Sequence, residues 1–392
     1  MNPSRVLYLG FWLPPCLAKR YPSLNVAGQL WESRLLENLS AATDIRKVSI
    51  LDRKIILDEN GDASPSHAFL PSRFGKDLQA PLSYYRLRKI YLQWRREGWK
   101  PECVLVYNTH PVWNAFVRFL SRRDPEIKRI LILLDSNQFS QKTGLLKRIR
   151  YRLKPFHWTD EAMLSRFHGI ASASFSSKAY CEEHQIPWHW FPGGSQGDGL
   201  LERVGKPVVS GPVKLGYFGS HSDYAGLREL LEAFLQVKDP TLKLSIAGEG
   251  AKTEELKKLS SCDERVEWVG FFKKREDLGH WASQCHVLVN PRPSGYGNEN
   301  NFPSKMFDYV QLGRPIISSQ TETLKHAFGD AAIWYDAGQH MSLINLLINI
   351  KKMDIEELVK KHSMISKNII QTYAWTETVK NLNKWINKIS TA

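Results

Sequence analysis

The sequence predicts an α/β protein of two doubly wound domains, each built on a parallel sheet, and three observations carry that expectation. Short apolar, β-rich runs alternate with amphipathic segments of helical length, the mark of strand–helix–strand units. The alternation occurs in two series separated by a glycine-rich stretch. A chain of 392 residues also exceeds what one core usually holds, since domains run to roughly 100–200 residues.

The first series places strands at Arg5–Leu9, Lys47–Leu51, Cys103–Tyr107, Arg129–Leu134 and Gly169–Ala173. The second places them at Val213–Phe218, Lys243–Ala247, Val266–Val269, His286–Val289 and Pro315–Ser318. Residues 52–80 have no clean period and many turn formers, which predicts a long surface excursion. Between the series runs Phe191-Pro-Gly-Gly-Ser-Gln-Gly-Asp-Gly199, followed by Pro207 and Pro212, where neither helix nor strand persists. The expected division is therefore 1–195 and 196–375, with 376–392 as a closing helix. Trp375 to Ile389 reads as helical, with Thr376 as cap and Val379, Leu382 and Trp385 at helical spacing. Packing on the second domain and return to the first both stay open for that helix.

A hydrophobic content of 42% and a charged content of 24% exclude wholesale disorder. No run approaches the ~20 apolar residues that span a bilayer. Met1 to Gly10 lacks a basic region leading into an apolar one, so a cytoplasmic location is expected. The five cysteines, Cys16, Cys103, Cys181, Cys262 and Cys285, are odd in number and scattered. They suggest reduced, mostly buried thiols, and no metal is expected. A net charge of +14 attracts phosphate, whether of a nucleotide, a nucleic acid or an anionic lipid. Bases interleave with aromatic and aliphatic residues at 84–96 and 147–154, which suggests peripheral contact with an anionic membrane, on its inner face. The plainer reading is that Leu87, Ile90, Tyr91 and Trp94 face the core while the bases point to solvent. No nucleic-acid-binding motif accompanies the charge, so no nucleic acid partner is expected.

The chemistry concentrates in residues 290–318, which read as loop, helix and strand. Pro303 suits a first helical turn, and Gly313 with Pro315 marks the helix end. Such a helix aims its free N–H groups at the carboxyl edge of the sheet, where anions bind in these folds. Lys305 stands in the first turn, where a cation opposes the helix dipole unless an anion lies close by. Asp308 follows on the same face. One reading puts Lys305 on phosphates and Asp308 on ribose hydroxyls; the other is a surface ion pair.

The run Asn301-Phe-Pro-Ser-Lys-Met-Phe-Asp-Tyr-Val-Gln-Leu-Gly-Arg-Pro-Ile-Ile resembles the donor-binding signature of group 1 glycosyltransferases, the retaining family 4 of GT-B fold. Weaker resemblance covers most of the second domain: Gly216-Tyr-Phe-Gly-Ser220, Ala247-Gly-Glu-Gly250, Gly270-Phe-Phe272 and Tyr373-Ala-Trp375. It implies two Rossmann-like domains facing a cleft and a nucleotide-diphosphate sugar as donor. The implied reaction is metal-independent, with a saccharide or lipid-linked acceptor and a role in surface polysaccharide or glycoconjugate synthesis. The family brackets this helix with two acidic residues, which fall here on Asn300 and Asp308; Asn300 keeps hydrogen bonding without charge, so the role is either shared with Glu299 or altered. Relatives carry an arginine and a lysine where Ser220 and Ala225 stand. Diphosphate charge then rests on Lys305, Arg292 and the N–H groups of Gly219 and Ser220. Gly216, Ser304, Phe271 and Phe272 complete the donor set, although Gly216 and Gly219 also suit a tight turn and both phenylalanines suit a core.

In the first domain, Gly10 ends the first strand and Gly28 lies in Asn25-Val-Ala-Gly28-Gln-Leu-Trp-Glu32, which looks like the family's acceptor-side loop and helix start. His110, after the third core strand, stands where relatives contact the donor sugar. The catalytic set is therefore His110, Asn300 and Lys305. Asp135 ends the next strand, as ligand or as cap. Rival readings are a GT-B protein that binds nucleotide sugar without transferring it, a sugar-nucleotide epimerase, and a nucleic-acid-binding protein.

Overall fold

The computed structural model describes residues 5–20, 26–40, 43–51, 65–70, 76–134, 161–196 and 211–389. Asn25, Asp135 and the basic segment 147–154 lie outside the described residues. The chain divides into two units, residues 1–193 with 375–392, and residues 194–374.

The first unit runs β1 (Arg5–Gly10), α1 (Pro15–Arg20), α2 (Val26–Ser40), β2 (Asp44–Ile50), β3 (His67–Leu70), α3 (Lys76–Arg96), β4 (Cys103–Tyr107), α4 (Pro111–Arg123), β5 (Lys128–Leu133), α5 (Glu161–Leu164), β6 (Gly169–Ser172), α6 (Lys178–Glu183) and β7 (Trp188–Trp190). Its seven strands lie in the order β3-β2-β1-β4-β5-β6-β7. All the pairings are parallel. Central strands such as β4 are buried at every residue, as expected of a sheet covered on both faces.

The second unit runs β8 (Val213–Ser220), α7 (Leu227–Gln236), β9 (Leu242–Glu249), α8 (Thr253–Leu259), β10 (Val266–Gly270), α9 (Arg275–Ser283), β11 (Val287–Asn290), α10 (Lys305–Gln311), β12 (Ile316–Ser319), α11 (Glu322–Phe328), β13 (Ala332–Tyr335), α12 (His340–Asn349) and α13 (Ile355–Thr372). Its parallel sheet has the order β10-β9-β8-β11-β12-β13. In each sheet the winding reverses beside the first strand, between β1 and β4 and between β8 and β11. That is where doubly wound sheets open a crevice at their carboxyl ends.

Three strands differ from the sequence expectation. Residues 52–80 are not wholly a surface excursion: β3 pairs with β2, with Leu70 fully buried and His67 5% exposed. β7 and β13 close the outer edges. Each of these strands has four residues or fewer, too short to display a period of two.

The final helix, α14 (Trp375–Ile389), belongs to the first unit. Val379, Leu382 and Ile386 are buried in a core shared with Val6, Tyr8 and Trp31, and the Trp375 and Trp31 rings meet edge-on at 5.3 Å. A Cβ on Gly169 of β6 would fall 2.6 Å from Ile389 Cδ1 and 2.7 Å from the Trp385 ring, so the helix lies directly on that strand. Thr376 is the second residue of the helix and so stands inside it, past the expected cap position. No helix among the described residues is long and apolar enough to cross a membrane.

Leu382 is fully buried. Leu382→Ala removes its packing and leaves a cavity, so it lowers stability by about 2–5 kcal/mol in denaturant unfolding. Lys384→Ala, on the exposed side of the same helix, changes it by less than about 0.5 kcal/mol.

Candidate functional site

The second unit's site is assembled at the carboxyl ends of β8 and β11. β8 continues through Ser220, so Gly219 lies on the strand end rather than in a separate loop. Gly219 has φ 147° and Gly248 has φ 119°, and a Cβ on Gly248 would sit 2.0 Å from the Gly219 carbonyl oxygen. Only glycine lets these two strand ends approach so closely. A Cβ on Gly219 would in turn lie 3.6 Å from Lys305 Nζ, so the lysine ends over bare backbone.

Tyr309 and Tyr217 hold Lys305 there. The Tyr309 hydroxyl lies 3.0 Å from the carbonyls of both Phe218 and Val289, to which it can donate, and accepts from the Phe218 N–H at 3.3 Å. It thereby ties α10 to β8 and β11 together. One turn earlier, Lys305 Nζ lies 4.8 Å from the Tyr217 ring centroid and 5.7 Å from that of Tyr309. Burial, reinforced by the nearby Arg292 guanidinium, brings the Lys305 ammonium down to about 7. A cation so placed gains most from an anion beside Gly219.

Asp308 turns away from Lys305 and accepts from Arg275 at 3.0 Å, while the other arm of the same guanidinium donates to Gln311 at 2.8 Å. Gln311, 2% exposed, donates to Ser195 Oγ at 2.7 Å. The carboxylate is thus held by a fork whose second tine meets a buried amide. Arg275 is a site residue that sequence reasoning missed; its one local signal is the basic run Lys273-Lys274-Arg275 just after Gly270-Phe-Phe272. Between them, the structure contradicts core packing for Phe271, which is 60% exposed at the end of β10. Phe272 does pack, against Trp281 at 5.9 Å.

Loop 291–304 borders this arrangement. Asn298, 5% exposed, donates its amide to the carbonyls of Tyr224 and Pro293, both at 3.0 Å. Gly226, with φ 80°, meets the Pro291 carbonyl so closely that a Cβ would sit 1.7 Å from its oxygen. Glu299 is exposed and accepts from the Gly295 N–H, and Asn300 is half-buried on the same single-turn 3-10 segment. Ser304 precedes α10 without capping it through its side chain. Arg292, Asn298, Glu299, Pro303, Ser319 and Asp336 line a cavity of about 210 Å³ beside the loop. Ser220 is exposed and bonds Ser222, whereas Ala225 is 4% exposed and offers no charge. Gly216 is not with this group: it lies within β8, where a Cβ would meet Cys285 Sγ at 2.7 Å, so it serves packing.

In the first unit, Gly10 makes room for a buried carboxyl. A Cβ there would fall 2.3 Å from Glu32 Oε2, which accepts from the Tyr8 hydroxyl at 2.6 Å and the Phe11 N–H at 3.0 Å. Burial raises the Glu32 carboxyl to about 7. Gln29 clamps the same loop, accepting from the Leu13 N–H and donating to the Phe11 carbonyl; Gly28 lies just before it in α2. His110 caps α4, its Nδ1 accepting from the Val112 N–H at 3.3 Å, with Pro111 as the first helical residue. Burial lowers this imidazole to about 4, so it is neutral near pH 7 with its proton on Nε2. It has a structural task whatever else it touches. Among the described residues, no group of three or more His, Cys, Asp or Glu side chains could hold a metal ion.

Residues 212–351 match the family model described as Glycosyl transferases group 1. No curated protein matches the chain. Among solved structures, the lipopolysaccharide outer core galactosyltransferase WaaB in its apo form is 14% identical, with TM-score 0.68 and coverage of 98% of this chain and 99% of that one. HepE of Anabaena, in complex with UDP and glucose, is 14% identical, with TM-score 0.62 and 99% coverage of both chains. The sucrose-phosphate synthase of Thermosynechococcus elongatus is 14% identical, with TM-score 0.65 and coverage of 98% and 99%. At such identities the likeness concerns the fold.

The electrostatics of Lys305 predict a proton-linked anion site. Its ammonium is held at about 7 in the unliganded protein, and a diphosphate restores the charge by raising that value. Binding of pyrophosphate, used as a probe anion beside Lys305, is therefore expected to take up a proton at pH 8, with affinity falling as pH rises above about 7. Calorimetry in buffers of different ionisation enthalpy reads the uptake directly, and Lys305→Met abolishes it.

Proposed function

We propose, from the match of residues 212–351 to the group 1 glycosyltransferase model and the likeness of the fold to solved glycosyltransferases, that the chain is a retaining transferase. It moves a sugar from a nucleotide-diphosphate donor to a saccharide or lipid-linked acceptor, in surface polysaccharide or glycoconjugate synthesis at the cytoplasmic side. The observation that carries this reading is the convergence of Lys305 Nζ on the bare backbone of Gly219 at the β8/β11 switch point. Beside it, the fork-held carboxylate of Asp308 and the exposed ring of Phe271 suit a ribose and a base. The cavity next to Arg292, with Asn298, Glu299 and Asp336 among its lining, suits the hydroxyls of the transferred sugar.

In the proposed reaction, the bond between the sugar's anomeric carbon and the diphosphate oxygen breaks. The acceptor hydroxyl adds to that carbon on the same face and passes its proton to the departing phosphate. Lys305 and Arg292 supply the positive charge that the leaving diphosphate requires, without a metal. The backbone N–H groups of Gly219 and Ser220 complete that support. Asn300 hydrogen-bonds the sugar without placing a negative charge beside it. His110 contributes at most an Nε2–H donor, because its other nitrogen is engaged in the helix cap.

A thermal-shift panel of UDP-, GDP- and ADP-sugars identifies the donor, since a ligand bound by the native state alone raises its melting temperature. UDP-sugars come first, given the UDP held by HepE. With the donor known, Lys305→Ala lowers turnover roughly 10²–10³-fold. Asp308→Ala and Arg275→Ala each weaken free nucleoside diphosphate about tenfold or more, as lost charged hydrogen bonds do. Unchanged nucleotide binding in both would assign the pair to the surface. Product analysis with radiolabelled donor separates transfer from binding alone and from epimerisation.

A further inference from the structure

One helical face of the first unit carries a feature that the proposed donor site does not use. Helices α3 and α4 together hold nine bases and one acid, Asp77. They pack through aromatic contacts, with Tyr91 edge-on to Phe116 at 5.5 Å and to Phe119 at 6.2 Å. The apolar stripe Leu87, Tyr91 and Trp94 is spent on this core. Arg88 lies 4.6 Å over the Phe119 ring, bridging the two helices.

What remains outside is cationic. Arg86, Lys89 and Arg96 of α3 are exposed, as are Arg118, Arg122 and Arg123 of α4. Asp124, which ends α4, is 6% exposed and is engaged by Arg95 at 3.2 Å and by the Tyr91 hydroxyl at 2.8 Å. The neighbouring exposed acids Glu97 and Glu126 are paired with Arg46 and Lys100. One turn before the α3 bases stand two exposed apolar residues on the same helix face, Leu82 at 43% and Tyr85 at 67%.

We infer that the α3–α4 face docks the first unit on an anionic lipid surface, with the bases at the headgroups and Leu82 and Tyr85 at the apolar boundary. Charge complementarity selects an anionic partner. The exposed aliphatic Leu82 beside an amphipathic tyrosine favours lipid over nucleic acid, because tyrosine settles where one end is apolar and the other wet. Such a surface would bring a lipid-linked acceptor to the protein, but vesicle binding is read without donor and stands apart from transfer activity.

Co-sedimentation of the full chain with phosphatidylcholine vesicles, alone or mixed with phosphatidylglycerol, tests the inference. Binding to the mixed vesicles only, weakened by salt, is expected. Each base near such a surface is worth about fivefold in partitioning. The variant Arg86→Ser, Lys89→Ser, Arg118→Ser therefore binds roughly a hundredfold more weakly with unchanged thermal unfolding. Leu82→Ser with Tyr85→Ser weakens binding while keeping its salt dependence. Equal sedimentation of parent and charge variant, equal binding to both vesicle types, or binding of an oligonucleotide without binding to anionic vesicles overturns it.

Discussion

The geometry of the candidate site depends on the Tyr309 hydroxyl. It is buried between two strands and in reach of two carbonyls and one N–H. A buried hydroxyl without those partners would leave its desolvation penalty, about 1–3 kcal/mol, uncompensated. Satisfying it fixes the height and rotation of a helix only seven residues long, which propensity alone would not hold. Lys305 stands four residues before Tyr309 and Asp308 one residue before it, so both inherit their positions from that anchor. The lysine is carried over Gly219 and the aspartate towards Arg275.

The two groups read from the sequence as one pair serve two environments. Lys305 and Asp308 share a helix face, yet the ammonium sits over aromatic rings while the carboxylate meets a guanidinium. This separation gives the site its polarity: a place where negative charge is rewarded adjoins a place where hydroxyl donors are. An ion pair between Lys305 and Asp308 would have cancelled both.

Most of the parallel strands and the α10 segment were legible because each has a local signature: apolar runs of sufficient length, proline before the helix and glycine after it. The edge strands were not, because three or four residues cannot show alternation and their pairing is decided by the neighbouring strand. Arg275 was hidden for a different reason. Its partner is 33 residues away, and nothing within its own helix marks it. Glu32 was equally silent, since a glutamate in the middle of a helix ordinarily faces water. It is buried here because Gly10, on another element, leaves the space. The exposure of Phe271 beside the packing of Phe272 turned on the direction of a single residue after β10.

The return of α14 to the first unit makes the second unit an insertion within the first. Residues 194–374 intervene between the seven-stranded sheet and the helix that completes its core. During synthesis the inserted unit emerges whole and can fold on its own contacts. The unit that begins the chain must instead wait, with Val6, Tyr8 and Trp31 uncovered, until Leu382 and Ile386 have left the ribosome. The first half of the protein to be made is the last to be finished.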